Sequence, residues 1–429
     1  MKAAGDVGAD VPIDILESLL RDHLGDETVA ITHCTITPFA NQGTNDSTTF
    51  FCAELNGAGP DASVTSGSAR WIVKHWRAGG ARDAGTGVSQ PNEVLAWEHG
   101  LLSPEALPNG VVVPFVGARR SADKLQAWLA MADVSTELAE FPRTSLSADQ
   151  AISRVRYVLE RLAHFHAYWE RPERQAQLQH YPWLQRTEVY IWRLAHTYAL
   201  SLELPPAAGS LPVSDDLPVW DGLTADLNAF LEWLPAGNRR LWQDLMIDRS
   251  ALVAALASYP RTLLHNDLDD RNIGLRWLAG IAQTGQTAAT TPELVLIDWE
   301  WIGVGPSVLD VAKVLIFPPV MMAPGETYPE TCWTDELPDY YFAHYRAAGN
   351  ANVDAETWRR AYGLAVVAQA LQYFPPIAGN GVRVVRGDVP PPQVVGIPEE
   401  VMRRLLSTGL VLLERQIEFV TREARRWLA

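Results

Sequence analysis

Leu263-Leu264-His265-Asn266-Asp267-Leu268-Asp269-Asp270-Arg271-Asn272-Ile273 and Leu294-Val295-Leu296-Ile297-Asp298-Trp299-Glu300 carry the reading of this chain. The first stretch has the form HxDxxxxN after an apolar pair and before a short apolar run. Taken alone, Asp267 and Asn272 fit an Asx-rich turn, and Asp269 and Asp270 fit a solvated acidic one. The second stretch changes the balance. Four apolar residues run into Asp298, the pattern of a buried strand that delivers a carboxylate on rigid scaffolding. Two short strands are therefore expected, over 272–277 and 293–298, joined by a polar insertion, and surface insertions of that kind are tolerated cheaply. Asp267 precedes the first strand, Asn272 begins it and Asp298 ends the second, so all three are expected at one end of the hairpin. One carboxylate to orient an attacking hydroxyl, with an Asn and a second Asp to hold Mg2+ on phosphates, is the set phosphoryl transfer needs.

Working outward, the first 140 or so residues read as short strands with one helix. Runs 31–39, 48–55, 70–77, 111–116 and 127–134 are rich in β-branched and aromatic residues and separated by Gly, Asn, Asp and Ser clusters. Residues 92–102 have helical spacing. In Trp71-Ile72-Val73-Lys74-His75-Trp76, alternation puts Ile72 and Lys74 on one face. An inward ammonium on an apolar strand needs an anion, and Glu93 on the following helix is the candidate; an edge-strand solubility lysine is the plainer alternative. Between the first two strands, Asn41 to Thr48 is a polar turn whose one glycine is Gly43, suited at most to backbone contact with phosphate. From Ser147 the period becomes helical: Ile152, Val155, Leu159, Leu162 and Phe165 recur at three and four, behind a Ser147–Gln150 capping box. Helices are expected at 184–202, 224–234, 249–258 and 399–428. The fold class expected is α+β: a small antiparallel-sheet part followed by a mostly helical one.

Composition sets bounds on partners. The 429 residues, 47% hydrophobic, carry 35 Lys plus Arg against 51 Asp plus Glu, a formal net charge of -16. An acidic chain is a poor partner for nucleic acid. Three scattered cysteines form no disulfide framework and no metal-ligand spacing. The N-terminus has no signal-peptide pattern and no apolar run reaches transmembrane length, so a cytoplasmic protein without membrane contact is expected.

The ordered combination of WIVKHW (71–76), PNEVLAWEHGLL (91–102), LERLAHFHAYWE (159–170), HNDLDDRN (265–272) and LIDWEWIGVGPSVLDVA (296–312) resembles the aminoglycoside phosphotransferase and choline kinase-like superfamily. The resemblance runs from about Ile31 to about Ile377. It implies a two-lobed protein-kinase-like fold with a nucleotide-binding lobe over 1–130, a hinge at 131–134 and a helical lobe over 135–429 that includes a catalytic hairpin at 263–300. By the same resemblance, Asp267 is the catalytic base or hydroxyl-orienting group, and Asn272 and Asp298 are the Mg2+ ligands. Lys74 contacts the nucleotide phosphates and is braced by Glu93. Ile72, Met131, Ala132 and the Gly43 turn line the nucleotide, with Met131 and Ala132 in the connection that holds the base. His265 and Asp310 are implied as structural support.

The activity this implies is Mg-ATP-dependent (or Mg-GTP-dependent) transfer of a γ-phosphate to a small-molecule hydroxyl. Asp269, Asp270, Trp299 and Glu300 are candidates for the acceptor side, where acidic groups would suit an amine-bearing alcohol, an aminoglycoside or an amino sugar. Two alternatives stand beside it. A catalytically silent nucleotide-binding protein would have no need of Lys74, Glu93, Asp267, Asn272 and Asp298 together. A protein or peptide kinase is disfavoured because Pro306 and Ser307 lead straight toward a helix around Asp310. The sequence carries no reading of oligomeric state.

Overall fold

The computed structural model describes residues 12–25, 27, 30–38, 48–58, 68–78, 91–139, 147–204, 222–277, 292–316, 330–349, 353–392 and 399–428. The fold is α+β. Its contacts divide it into two units, one made of the described residues up to 139 with 272–277 and 292–300, the other of the described residues from 147 to 271 and from 301 onward. Residues 272–277 and 292–300, read from sequence as part of the helical portion, group with the N-terminal strands.

The first unit is built on a five-stranded antiparallel sheet. Its strands are β1 (Ala30–Pro38), β2 (Thr48–Ala58), β3 (Ser68–Arg77), β5 (Phe115–Arg120) and β6 (Gln126–Ala132), in the order β1-β2-β3-β6-β5, with β4 (Val111–Val112) outside it. A helix that the strand-rich reading did not anticipate, α1 (Ile13–Leu24), covers one face. Leu16, Leu19 and Leu20 pack there against Phe51, Trp71, Val73 and Trp128, each leucine contributing roughly 2 kcal/mol by leaving water. The approach is close: a Cβ on Gly117 of β5 would sit 2.8 Å from Leu19 Cδ2. Because Trp71 and Val73 point into this core, alternation sends Ile72 and Lys74 to the opposite face.

Residues 111–116, expected as one strand, are two. Pro114 cannot donate to a ladder, so β4 ends before it and pairs in parallel with Glu293–Leu296, while β5 begins after it and joins the large sheet. Glu293–Leu296 in turn pairs antiparallel with Ile273–Arg276, completing a three-stranded sheet. The short helix Ser135–Ala139 presses on this hairpin. A Cβ at Gly274 would lie 3.1 Å from the Glu137 backbone, and Arg276 Nε reaches Glu137 Oε1 at 3.0 Å. The helix expected over 92–102 ends at Glu98, with Gly100 at φ 68° turning the chain away.

The second unit is mainly helical. Ala148–Trp169 begins with the expected capping box, in which Ser147 Oγ accepts from the Gln150 N–H and the Gln150 side chain accepts from the Ser147 N–H. Long helices Ala355–Arg386 and Glu399–Leu428 complete the chain, and Ala236–Ile247 is a helix the sequence reading did not single out. A small sheet of Gln185–Arg186, Gly303–Gly305 and Thr262–Leu264 leads into residues 265–271. Among the described residues, no helix is long and apolar enough to cross a membrane.

Candidate active site

In the first unit the hairpin register decides the geometry. Ile273 pairs with Leu296, and the Ile297 N–H donates to the Asn272 carbonyl at 3.1 Å, so Asn272 and Asp298 emerge at the same end of the paired strands. Asp298 holds a positive φ of 61°, a conformation Asp tolerates better than most residues and one that marks a turned-out side chain at a strand end. Lys74, from the middle of β3, brings its ammonium to this point. Its Nζ donates to Glu93 Oε2 at 2.5 Å and to Asp298 Oδ1 at 2.9 Å, with Glu300 Oε2 at 3.7 Å. Glu93 also accepts the Trp299 N–H at 2.8 Å, and Asn92 donates to the Glu300 carbonyl at 3.0 Å. The residue pair Asn92–Glu93 therefore fastens the segment that carries Asp298.

The electrostatics follow from burial. Removing Lys74 from water disfavours its charge, but the carboxylates of Asp298, Glu93 and Glu300 outweigh that and hold the ammonium well above the ordinary lysine range. Burial pushes the Glu93 carboxyl up against the pull of Lys74. Lys74 is thus a core cation with anionic partners, which excludes the edge-strand alternative. Asn272 is buried, whereas the Asp298 side chain is 41% exposed despite its contact with Lys74. An amide oxygen and a partly exposed carboxylate are hard oxygen donors of the kind Mg2+ takes, with phosphates and water completing such a shell. Among the described residues no group of three His, Cys, Asp or Glu side chains could hold a metal ion.

The second unit organises Asp267. Asp310 is fully buried and accepts two backbone N–H groups, from His265 at 2.9 Å and from Asn266 at 2.8 Å. His166 Nε2 lies 3.3 Å from the same carboxylate and its Nδ1 is 2.7 Å from the Tyr341 hydroxyl. Asn266 turns the chain with φ 66°, and its side chain holds the turn by donating to the Trp301 carbonyl at 2.8 Å and accepting from Thr187 Oγ1 at 3.2 Å. The Asp267 N–H then donates to His265 Nδ1 at 3.2 Å. Asp310 thus accepts from the backbone that leads into Asp267, and His265 accepts from the Asp267 N–H. Lys313, which the sequence reading passed over, places Nζ 3.3 Å from Asp267 Oδ1. Its signal is a lysine in a helix whose one other charged residue is Asp310, three residues before it.

The acceptor-side candidates separate. Trp299 is fully buried and its indole N–H donates to the Leu296 carbonyl at 3.2 Å, so its side chain is a core element and not a substrate face. Glu300 stands beside Lys74, in the cluster with Glu93 and Asp298. Asp269 is held by the Arg271 guanidinium, which overcomes the effect of burial and keeps its carboxyl below the ordinary range. Asp270 lies half-buried between them in the turn. Ile72 and Met131 are cross-strand partners, Phe115 also pairs with Met131, and the Ala132 N–H donates to the Pro114 carbonyl at 2.8 Å. Gly43 and its turn lie outside the described residues.

No protein-family profile and no curated relative matches the sequence. Among solved structures, the chain is similar to a microcompartment-associated aminopropanol kinase at 14% identity and TM-score 0.42, covering 97% of this chain and 98% of that one. It is similar to an ethanolamine kinase from Plasmodium vivax at 10% identity and TM-score 0.43, covering 90% and 84%. It is also similar to an amicoumacin kinase in complex with AMP-PNP, Ca2+ and Ami, at 11% identity and TM-score 0.41, covering 96% and 95%.

Proposed function

We propose that this chain is a small-molecule kinase that transfers the γ-phosphate of Mg-ATP, or Mg-GTP, to a substrate hydroxyl. The observation that carries the reading is the buried Lys74 ammonium, held between Glu93 at 2.5 Å and Asp298 at 2.9 Å at the end of the hairpin that begins with Asn272. A purely structural lysine would be satisfied by one carboxylate, whereas a partly exposed second carboxylate leaves a charged group at a strand end with chemistry to serve. Asn272 and Asp298 would hold the metal, and Lys74 would meet the phosphates. Ile72, Met131 and Ala132 would contact the nucleotide, with Gly43 giving backbone contact at the phosphates. When bound, Mg2+ neutralises charge on the β- and γ-phosphates.

Asp267 would accept a hydrogen bond from the acceptor hydroxyl and take its proton as the oxygen bonds to phosphorus. The bond from the γ-phosphorus to the bridging oxygen breaks, and its electron pair stays on the nucleoside diphosphate. The acidic run Asp267-Leu268-Asp269-Asp270, in which Asp269 is paired with Arg271, supports an amine-bearing alcohol, an aminoglycoside, an amino sugar or a related natural product as acceptor. The test is Mg2+-dependent ADP production from ATP against aminoglycosides, glucosamine, choline, ethanolamine and neutral sugars. Turnover with one class supports the reading, and tight Mg-ATP binding without turnover on any hydroxyl contradicts it.

A further inference from the structure

All nine residues of helix Val308–Ile316 are buried, and one of them is a lysine. Lys313 is 3% exposed, its Nζ lies 3.3 Å from Asp267 Oδ1, and the Tyr373 ring stands 3.4 Å from Nζ to its centroid. Burying an ammonium costs several kcal/mol unless nearby charge compensates. Burial pulls Lys313 below the ordinary lysine range, while Asp267 and Asp269 pull the other way. If packing were the only demand, a leucine or methionine at this position would serve better. The charge therefore has a use, and the group it touches is the carboxylate proposed to orient the acceptor.

We propose that Lys313 is a positioning residue for phosphoryl transfer: it grips Asp267 Oδ1 and fixes the orientation of the carboxylate that meets the acceptor hydroxyl. This rests on the kinase reading above. One helix then sets both parts of the catalytic segment. Asp310 and Lys313 are three residues apart and so share a face. The first fixes the backbone of His265 and Asn266, and the second fixes the side chain of Asp267. Tyr373 closes another side of the ammonium by cation–π attraction, which confines it as solvent would not. The Asp267 side chain remains 19% exposed and therefore reachable by an acceptor. Lys313 forms and breaks no bond.

The experiment compares wild type with Lys313→Met, Lys313→Arg, Asp267→Asn and the Lys313→Met/Asp267→Asn double variant. ADP release from Mg-ATP is measured with ethanolamine, with glucosamine and with water as the sole acceptor, and Mg-ATP affinity is measured by calorimetry. Lys313→Met is expected to lower kcat about 100-fold, the scale of a misoriented reacting group, with acceptor KM and nucleotide Kd within about threefold of wild type. Lys313→Arg should recover at least about a tenth of the activity. In the Asp267→Asn background the lysine substitution should have no further effect, because residues that act as a unit are not additive.

Wild-type kcat in Lys313→Met, or an equal further loss in the double variant, overturns the positioning role and leaves the kinase reading intact. A wild-type protein that releases no ADP with these or any other acceptor of the panel named above overturns both. If Lys313→Met does not fold, Lys313→Arg and the double variant, which removes both charges, decide the matter: an arginine variant below about a hundredth of wild type, or a double variant less active than Asp267→Asn, counts against it.

Discussion

Asn266 and Asp298 hold φ angles of 66° and 61°, and each sits one residue or less from a side chain proposed for the chemistry. Left-handed backbone at a non-glycine residue costs of order 1 kcal/mol and persists where surrounding contacts over-determine it. For Asn266 those contacts are the Asp310 carboxylate on its N–H and the Trp301 and Thr187 partners of its side chain. For Asp298 they are the Lys74 ammonium and the neighbouring Trp299 N–H fastened to Glu93. Asp298→Asn keeps a residue that tolerates this backbone and removes the charge. It should weaken Mg-nucleotide binding about tenfold or more, or about 1.4 kcal/mol, with little change in thermal midpoint; calorimetry with and without Mg2+ checks this, and unchanged Mg-dependent affinity refutes the ligand role. Asp310→Ala leaves two buried N–H groups without their acceptor. A stability loss of about 3 kcal/mol by urea denaturation is expected, and a loss under about 0.5 kcal/mol would remove Asp310 from its supporting role.

At the scale of elements, a buried polar chain runs behind residues 265–267. From Asp310 it passes through His166 to Tyr341, while the neighbouring Tyr345 hydroxyl donates to Glu170 at the end of helix Ala148–Trp169. Burial raises the Glu170 carboxyl from 4.5 to about 7, and its Oε1 has no hydrogen-bond partner among the described residues. A carboxyl raised on folding favours the folded state while protonated. That stabilisation is fully present below the ordinary carboxyl range and is lost as pH rises through about 7. Thermal midpoints should therefore fall from pH 5 to pH 8 by the equivalent of about 3 kcal/mol. Glu170→Gln should flatten that slope, and an unchanged slope in the variant would contradict the assignment.

The same scale shows what was legible in the sequence. HxDxxxxN and the Asp298 strand end were readable because their spacing is local, as was the capping box at Ser147. The division of 111–116 was readable in principle from Pro114, but the exchange of partners on either side of it depends on Glu293–Leu296 arriving from far along the chain. Helix α1 has helical spacing at Leu16, Leu19 and Leu20 but no side-chain N-cap, and what holds it is the sheet face it covers. Trp299 was misread toward substrate because proximity to Asp298 in sequence says nothing of which way an indole packs. Lys313 meets Asp267 only through the placement of its helix.

At the scale of the molecule, the chain leaves the strand-rich unit after the Ser135–Ala139 helix and returns to it with 272–277 and 292–300. The N-terminal strands alone would lack the partner of β4 and would leave Lys74 and Glu93 without Asp298. The proposed nucleotide-side residues therefore come from widely separated parts of the sequence. The central claim is that this arrangement transfers phosphate to a hydroxyl oriented by Asp267. The most direct measurement is transfer of the γ-phosphate from Mg-ATP to the best acceptor of the panel by wild type and by Asp267→Ala, with Mg-ATP affinity measured on the same samples. The account predicts transfer by wild type, a loss of about 1,000-fold or more in the variant, and nucleotide affinity within about threefold. Full transfer by Asp267→Ala would contradict it.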